Sequence, residues 1–217
     1  MLNLTEKLFL FSIDDARGTS TSNIIGQMYS GLYGALLADL AIRGKLAIVD
    51  DRLIVADHTP TGDPLLDEAL EVIASTKKLH RPGYWITNLP VKKLSRRVAD
   101  GLVEKKILVK EKKRYLSVVP YEAYAQQDAS AKYWVKQHLR SMVLAGEKTE
   151  AEDVALLSLL KACSLLKLVF TRDERKAAQK RIDELVAGEV FGPVVAEVLA
   201  EIDAAMMAAI SAGIVNS

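Results

Sequence analysis

The residues best suited to chemistry in this chain are cations. Lys92, Lys93, Arg96 and Arg97 fall in the run Lys92-Lys93-Leu94-Ser95-Arg96-Arg97. On a helix, that spacing sets Lys92 over Arg96 and Lys93 over Arg97 at i,i+4. Two such stripes can clamp one phosphate group, the guanidinium through paired N–H donors. They belong to a longer basic stretch. From Thr76 to Arg114 there are thirteen of the 29 Lys and Arg residues against three acids, Asp100, Glu104 and Glu111. The stretch carries about +10 in a chain of net charge +1, which leaves about −9 for the rest. Positive charge concentrated on an acidic body implies a polyanionic partner: nucleic acid, an anionic membrane face or a phosphorylated ligand. Lys77, Lys78 and Arg81 extend the patch toward Tyr84-Trp85, whose rings suit either a headgroup layer or plain packing.

Groups for covalent or acid–base catalysis are scarce. Cys163 is the single cysteine, set in the apolar run from Leu156, and no motif ties His58, His80 or His138 to it. It reads as a small buried hydrophobe, and a lone cysteine excludes an internal disulfide and fits a reducing cytoplasm. No H-x-x-x-H or C-x-x-C spacing occurs, nor a G-x-G-x-x-G or Walker loop, so neither a metal nor a cofactor is expected. Asp63, Asp67 and Glu68 cluster, but Asp63 stands where a helix N-cap belongs. The other two fall in the first turns, where the helix dipole favours acids.

The elements that must position the cations follow from periodicity. With 217 residues, half of them apolar and 26% charged, the composition is that of a globular chain. The N-terminus lacks the basic-then-apolar order of a secretory signal, and no window approaches 18 uninterrupted apolar residues. A helix is predicted from Thr5 to Ile13, capped by Thr5. A polar loop from Arg17 to Asn23 and a helix from Ile24 to Ile42 follow, the helix stopped at Gly44. Strands 46–49 and 52–55 form a hairpin around Asp50-Asp51, and Thr61-Gly62-Asp63 opens a helix from Pro64 to Ser75. A helix from Lys92 to Lys105 leads to strands 107–110 and 115–119, turned by Glu111-Lys112-Lys113. Helix, break and hairpin thus occur twice, the pattern of a winged-helix unit. Helices at 129–144, 150–169, 172–187 and 193–212 complete the chain. The expectation is one domain, 1–217, of mainly α class: a central helical bundle surrounded by amphipathic helices and loops, with one or two projecting β-hairpins.

Four runs carry a resemblance. They are Leu-Thr-Glu-Lys-Leu-Phe-Leu-Phe-Ser-Ile-Asp-Asp (4–15), Ser-Gly-Leu-Tyr-Gly-Ala-Leu-Leu-Ala-Asp-Leu-Ala-Ile-Arg-Gly-Lys-Leu (30–46), Pro-Thr-Gly-Asp-Pro-Leu-Leu-Asp-Glu-Ala-Leu (60–70) and Leu-Val-Glu-Lys-Lys-Ile-Leu (102–108). With these the chain resembles the Golgi phosphoprotein 3 family over residues 4 to about 185. The resemblance implies a mostly helical fold and, from the eukaryotic members, a non-catalytic peripheral membrane adaptor. Those members bind phosphatidylinositol 4-phosphate and hold glycosyltransferases in place. Their lipid pocket uses a Trp, an Arg and two further basic residues one turn apart, and the matching positions here are Ile24, Tyr33, Lys92 and Ser95. Lys92 alone keeps the charge, with Arg96 and Arg97 beside it. The short N-terminus, without the long basic extension of eukaryotic members, points to a prokaryotic member placed in the cytoplasm with reversible membrane contact.

Residues and resemblance together lead to an adaptor that binds anionic, phosphoinositide-type headgroups through Lys92, Arg96 and Arg97. Tyr33, Ser95 and Ile24 stand at the family's pocket positions. Client membrane proteins are expected partners. Homo-oligomer contacts are expected through the second hairpin, at Lys110, Tyr115 and Val118, because open strand edges are docking surfaces. The alternative is a winged-helix DNA-binding regulator that reads with the helix 92–101 and the wing 110–114. Nucleic acid ranks below lipid as a partner.

Overall fold

Asn3, not Thr5, begins the first helix. In the computed structural model, which describes residues 2–13, 25–115, 119–187, 194–201, 203–204 and 208, α1 spans Leu4–Ser12. Asn3 Oδ1 accepts the Glu6 N–H at 2.8 Å and Glu6 Oε2 accepts the Asn3 N–H at 3.1 Å. This reciprocal capping box satisfies two helix-end donors. Thr5 lies inside the helix and is fully buried.

Helices α1, α2 (Ile25–Ile42) and α7 (Ala151–Ala162) form the centre of the bundle. Leu4, Leu8, Leu10, Phe11, Leu32, Leu36, Leu37, Leu40, Leu156, Leu157, Leu159 and Leu160 are all at most 1% exposed. A helix that is apolar around its whole circumference belongs inside, which is where these sequences put themselves. Gly31 sets the closest approach: a Cβ there would stand 2.5 Å from Cys163 Sγ.

On one flank lie α3 (Pro64–Ser75), α4 (Pro82–Asn88) and α5 (Leu94–Glu104), all packed on α2. The bounds of α3 are those the sequence predicts, with Pro64 at its first position and Asp63 Oδ1 accepting the Leu65 N–H at 2.9 Å. The sequence did not reveal α4, a seven-residue element too short to show a period. On the other flank, α6 (Ala129–Arg140) runs into a π-helical turn, Ser141–Ala145, ended by Gly146 at φ 72°. The single helix expected over 150–169 is two. Ser164, at φ 58°, breaks it between α7 and α8 (Leu166–Val169). Then come α9 (Arg175–Ala187) and a helical stretch at 194–201.

The first hairpin, β1 (Leu46–Val49) with β2 (Arg52–Val55), matches expectation. Asp50 and Asp51 both sit at positive φ, 48° and 59°, as a tight two-residue turn demands. The second is longer than the sequence suggests. β3 (Leu108–Tyr115) pairs with β4 (Val119–Gln126) from Leu108↔Gln126 to Tyr115↔Val119. Glu111-Lys112-Lys113, read as its turn, therefore lies within β3. A ribbon whose residues alternate between solvent-facing and half-buried positions gives no apolar alternation from which to read its length. Val118, named for oligomer contacts, lies outside the described residues. Among those residues no helix is long and apolar enough to cross a membrane.

Candidate functional site

The run Lys92–Arg97 does not start a helix where its charge spacing implied. Lys92 and Lys93 form a turn, and Lys93 is the N-cap of α5 in the left-handed region at φ 54°, its carbonyl accepting the Arg97 N–H at 3.0 Å. The turn is anchored by Val91 and Leu94, 0% and 1% exposed, and by Tyr33, whose Oη donates to the Val91 carbonyl at 3.0 Å. Two of the expected site positions, 33 on α2 and 92 before α5, are thereby neighbours. Ser95 is half-buried in the first turn of α5. Ile24 lies outside the described residues.

Arg96 and Arg97 are not available as expected. Arg97 is held by Glu68 of α3. Arg96 faces Asp100 at 3.7 Å and Glu122 of β4 at 3.4 Å. Lys110 shares the same acids, at 2.9 Å from Glu122 and 3.9 Å from Asp100, and Tyr124 Oη donates to Asp100 at 3.1 Å. The hydrogen bond from Lys110, with the charge of Arg96 added, holds the Glu122 carboxyl below its ordinary range. Burial and the Asp100 carboxylate push the Tyr124 phenol up to about 12. Arg96 thus ties α5 to the base of the second hairpin. The i,i+4 clamps read from the sequence are absent, because Lys92 and Lys93 precede the helix and both Arg partners are engaged.

What stands open is smaller and differently placed. Lys92 and Lys93 are exposed and face no carboxylate within 4 Å among the described residues, and the same holds for Lys77 and Lys78. No side chain caps α5. An uncapped helix start presents main-chain N–H donors and the positive end of the dipole, here beside two lysines and the Ser95 hydroxyl. The uncapped start of α5 escaped sequence reading. The one available signal was that no Ser, Thr, Asp or Asn precedes Leu94. Of the aromatics expected nearby, Trp85 is buried at 3% exposure, while Tyr84 is exposed and stacks on His80 at 3.6 Å.

The residues of the four family-like runs do structural work. Asp39 accepts the Leu4 N–H at 3.1 Å and pairs with Arg43 at 2.5 Å. Lys105 reaches the buried Glu6 at 2.6 Å. Asn3 Nδ2 donates to Asp63 at 2.7 Å, and Thr61 Oγ1 to Asp67 at 2.6 Å. Lys45 donates to Asp57 at 2.6 Å, and with the Thr59 donors this holds the Asp57 carboxyl down at about 2. A cleft of about 440 Å³ between α1, α3 and α5 is lined by several of these groups, with Glu6, Asp63, Asp100 and Glu104 against Arg97 and Lys105. Four carboxylates against two cations leave this cleft net acidic.

Cys163 is fully buried, and burial pushes its thiol up to about 12, the opposite of an activated nucleophile. Among the described residues no three His, Cys, Asp or Glu side chains converge as a metal site.

Comparison with known proteins agrees with this scaffold. The family model described as Golgi phosphoprotein 3 (GPP34) matches residues 4–202. Vacuolar protein sorting-associated protein 74 of Eremothecium gossypii is 28% identical over 165 residues, covering 66% of this chain. The chain spans about half the length of that relative, 49%. The expected prokaryotic origin gains no support from it. The match covers all four runs whose side chains lock α1, α2, α3 and α5 together, and this chain belongs to the Golgi phosphoprotein 3 family.

Proposed function

We propose that this protein is a non-catalytic adaptor that docks reversibly on anionic phospholipid headgroups, of the phosphoinositide type. The point of contact is the turn of Lys92 and Lys93 at the uncapped start of α5. The observation that carries the reading is the contrast within one basic segment. Arg96, Arg97 and Lys110 are neutralised by the protein's own acids, whereas Lys92 and Lys93 stand open at a helix end. Each lysine close to an anionic surface contributes roughly 1 kcal/mol and the helix end adds up to about 1, enough for weak, salt-sensitive attachment. Tyr33 positions the turn through Val91, and Ser95 offers a hydroxyl where the family has a cation. Family membership supports the adaptor role.

The test is co-sedimentation with vesicles of neutral phosphatidylcholine, of phosphatidylcholine with phosphatidylserine, and of phosphatidylcholine with phosphatidylinositol 4-phosphate. Binding to both anionic vesicles, with preference for the phosphoinositide, is expected. Equal binding to neutral vesicles, or binding to none, would refute it. The winged-helix alternative finds no support, since Arg96 of its reading helix and Lys110 of its wing are both occupied by Asp100 and Glu122.

A further inference from the structure

A second open cluster of cations lies at the start of α9. Arg175 and Lys176 stand three and four residues after Arg172 and four and three before Gln179, so the turn before α9 and its first two turns present them on one face. With Leu166 of α8 they line a surface cavity of about 430 Å³. Among the described residues no carboxylate lines it. Of the two acids in the turn, Glu174 is held by Arg140 through two contacts of 2.7 Å and accepts the Thr171 N–H at 2.8 Å, and Asp173 lies outside the lining. Arg175 Nε is closed off from solvent and has no hydrogen-bond acceptor. Buried guanidinium donors normally find a partner, because an unmet one is costly. Elsewhere in the described residues, Arg43, Arg81, Arg96, Arg97, Arg140 and Arg181 meet carboxylates, and Arg52 and Arg114 are exposed to water. Arg175, with a solvent-closed donor left unmet beside two further cations and an amide, departs from that pattern.

We infer that this cavity is an anion site, separate from the α5 turn, that takes a phosphate group: free phosphate, a soluble phosphoester or a lipid headgroup. Arg172 and Arg175 supply the forked N–H donors, Lys176 a point charge and Gln179 a neutral donor.

The test is a titration of the ¹⁵N-labelled full chain with inorganic phosphate, compared with chloride at matched ionic strength. Saturable shifts at the amides of Arg172, Arg175, Lys176 and Gln179 are expected with phosphate only. Arg172→Gln with Lys176→Gln removes two exposed cations and should weaken that binding about tenfold or more. Arg175→Lys, which keeps the charge and loses the fork, should weaken it less. Thermal melts confirm that each variant folds. The inference fails if chloride gives the same shifts, if the shifts spread over all exposed lysines, or if the double variant binds phosphate within twofold of the parent. It also fails if Lys92→Gln with Lys93→Gln abolishes the shifts, since the ligand would then sit at α5. That second pair should leave the phosphate titration unchanged whatever it does to vesicle binding. A third arm separates the sources. Loss of attachment to phosphatidylinositol 4-phosphate vesicles by the Arg172, Lys176 variant assigns the site to a lipid headgroup, and retained attachment with lost phosphate binding assigns it to a soluble phosphoester.

Discussion

Two pairs of substitutions with the same formal charge change should have unequal effects on membrane attachment. Lys92→Gln with Lys93→Gln removes two exposed ammonium groups that face no protein carboxylate within 4 Å among the described residues. At roughly 1 kcal/mol for each lysine near an anionic surface, about 2 kcal/mol of attachment is lost, or roughly thirtyfold in the vesicle partition constant. Arg96→Gln with Arg97→Gln removes two guanidiniums whose fields are already opposed by Asp100, Glu122 and Glu68. Their loss should weaken vesicle binding less than about fivefold. It should also cost stability, less than about 1 kcal/mol for each of these half-exposed pairs. The assay is titration with anionic vesicles near 0.1 M salt, where charges more than about 10 Å apart are largely screened, so local geometry outweighs net charge. If the arginine pair weakens binding as much as the lysine pair, net charge governs attachment and the site reasoning is wrong. If neither pair matters, the contact is not at α5.

Gly31→Ala should destabilise the bundle by about 1–3 kcal/mol, because the new Cβ overlaps Cys163 Sγ at 2.5 Å; adding Cys163→Ala should recover most of that loss in denaturant unfolding. The Cys163 thiol should resist Ellman-type reagents at pH 8 until the chain unfolds, and rapid modification of folded protein would contradict its burial. Glu174, hydrogen-bonded by Arg140 and the Thr171 N–H, has its carboxyl lowered from about 4.5 to about 2. The stabilisation it gives is present above its unfolded value and is lost as pH falls from about 4.5 toward 2, so Glu174→Gln should flatten the acid limb of a stability–pH curve. The β3–β4 ribbon, carrying Lys110 and Tyr115, is our proposed surface for self-association; light scattering should show dimers or larger species at low salt that dissociate at high salt, and a monomer at both would reject it.

Local rules were legible wherever one residue settles a boundary. Pro64 behind Asp63 fixes the start of α3, and Asp50-Asp51 fixes the first hairpin, because few other pairs tolerate two positive φ values. Rules that depend on competition were harder to read. Asn3 outcompetes Thr5 as a cap because Glu6 stands three residues later to complete the box. Ser164 breaks α7 from α8 with no Gly or Pro to mark it. The basic segment was legible in the sequence, but not which of its cations the fold pairs with acids. Nothing local shows that Glu68 and Glu122, 29 and 26 residues from the arginines they hold, come back to neutralise them. Charge counted along a chain overstates the charge a surface presents whenever the fold returns acids to it.

That same point explains why family membership and ligand chemistry part company here. The runs that identify the family are spent on the scaffold: Asp39 on the start of α1 and on Arg43, Glu6 on Lys105, Asp63 on the start of α3 and on Asn3. Each joins two segments through a buried or half-buried polar contact, so losing one partner strands the other in a low-dielectric interior. Such positions are held by the fold itself, whatever the protein binds. Tyr33 holds the Val91 carbonyl and Ser95 lies half-buried in the first turn of α5, and both stand where the family resemblance expects cations. A surface position can therefore change its charge while the frame around it stays fixed. In the proposed function, the frame sets the backbone of the α5 turn and the side chains on it set the choice among phosphate ligands. Tyr33→Arg with Ser95→Arg tests that division: the fold should persist, and selectivity for phosphatidylinositol 4-phosphate over phosphatidylserine vesicles should rise. Unchanged selectivity in a folded double variant would mean that the backbone of the turn, and not these two side chains, limits recognition.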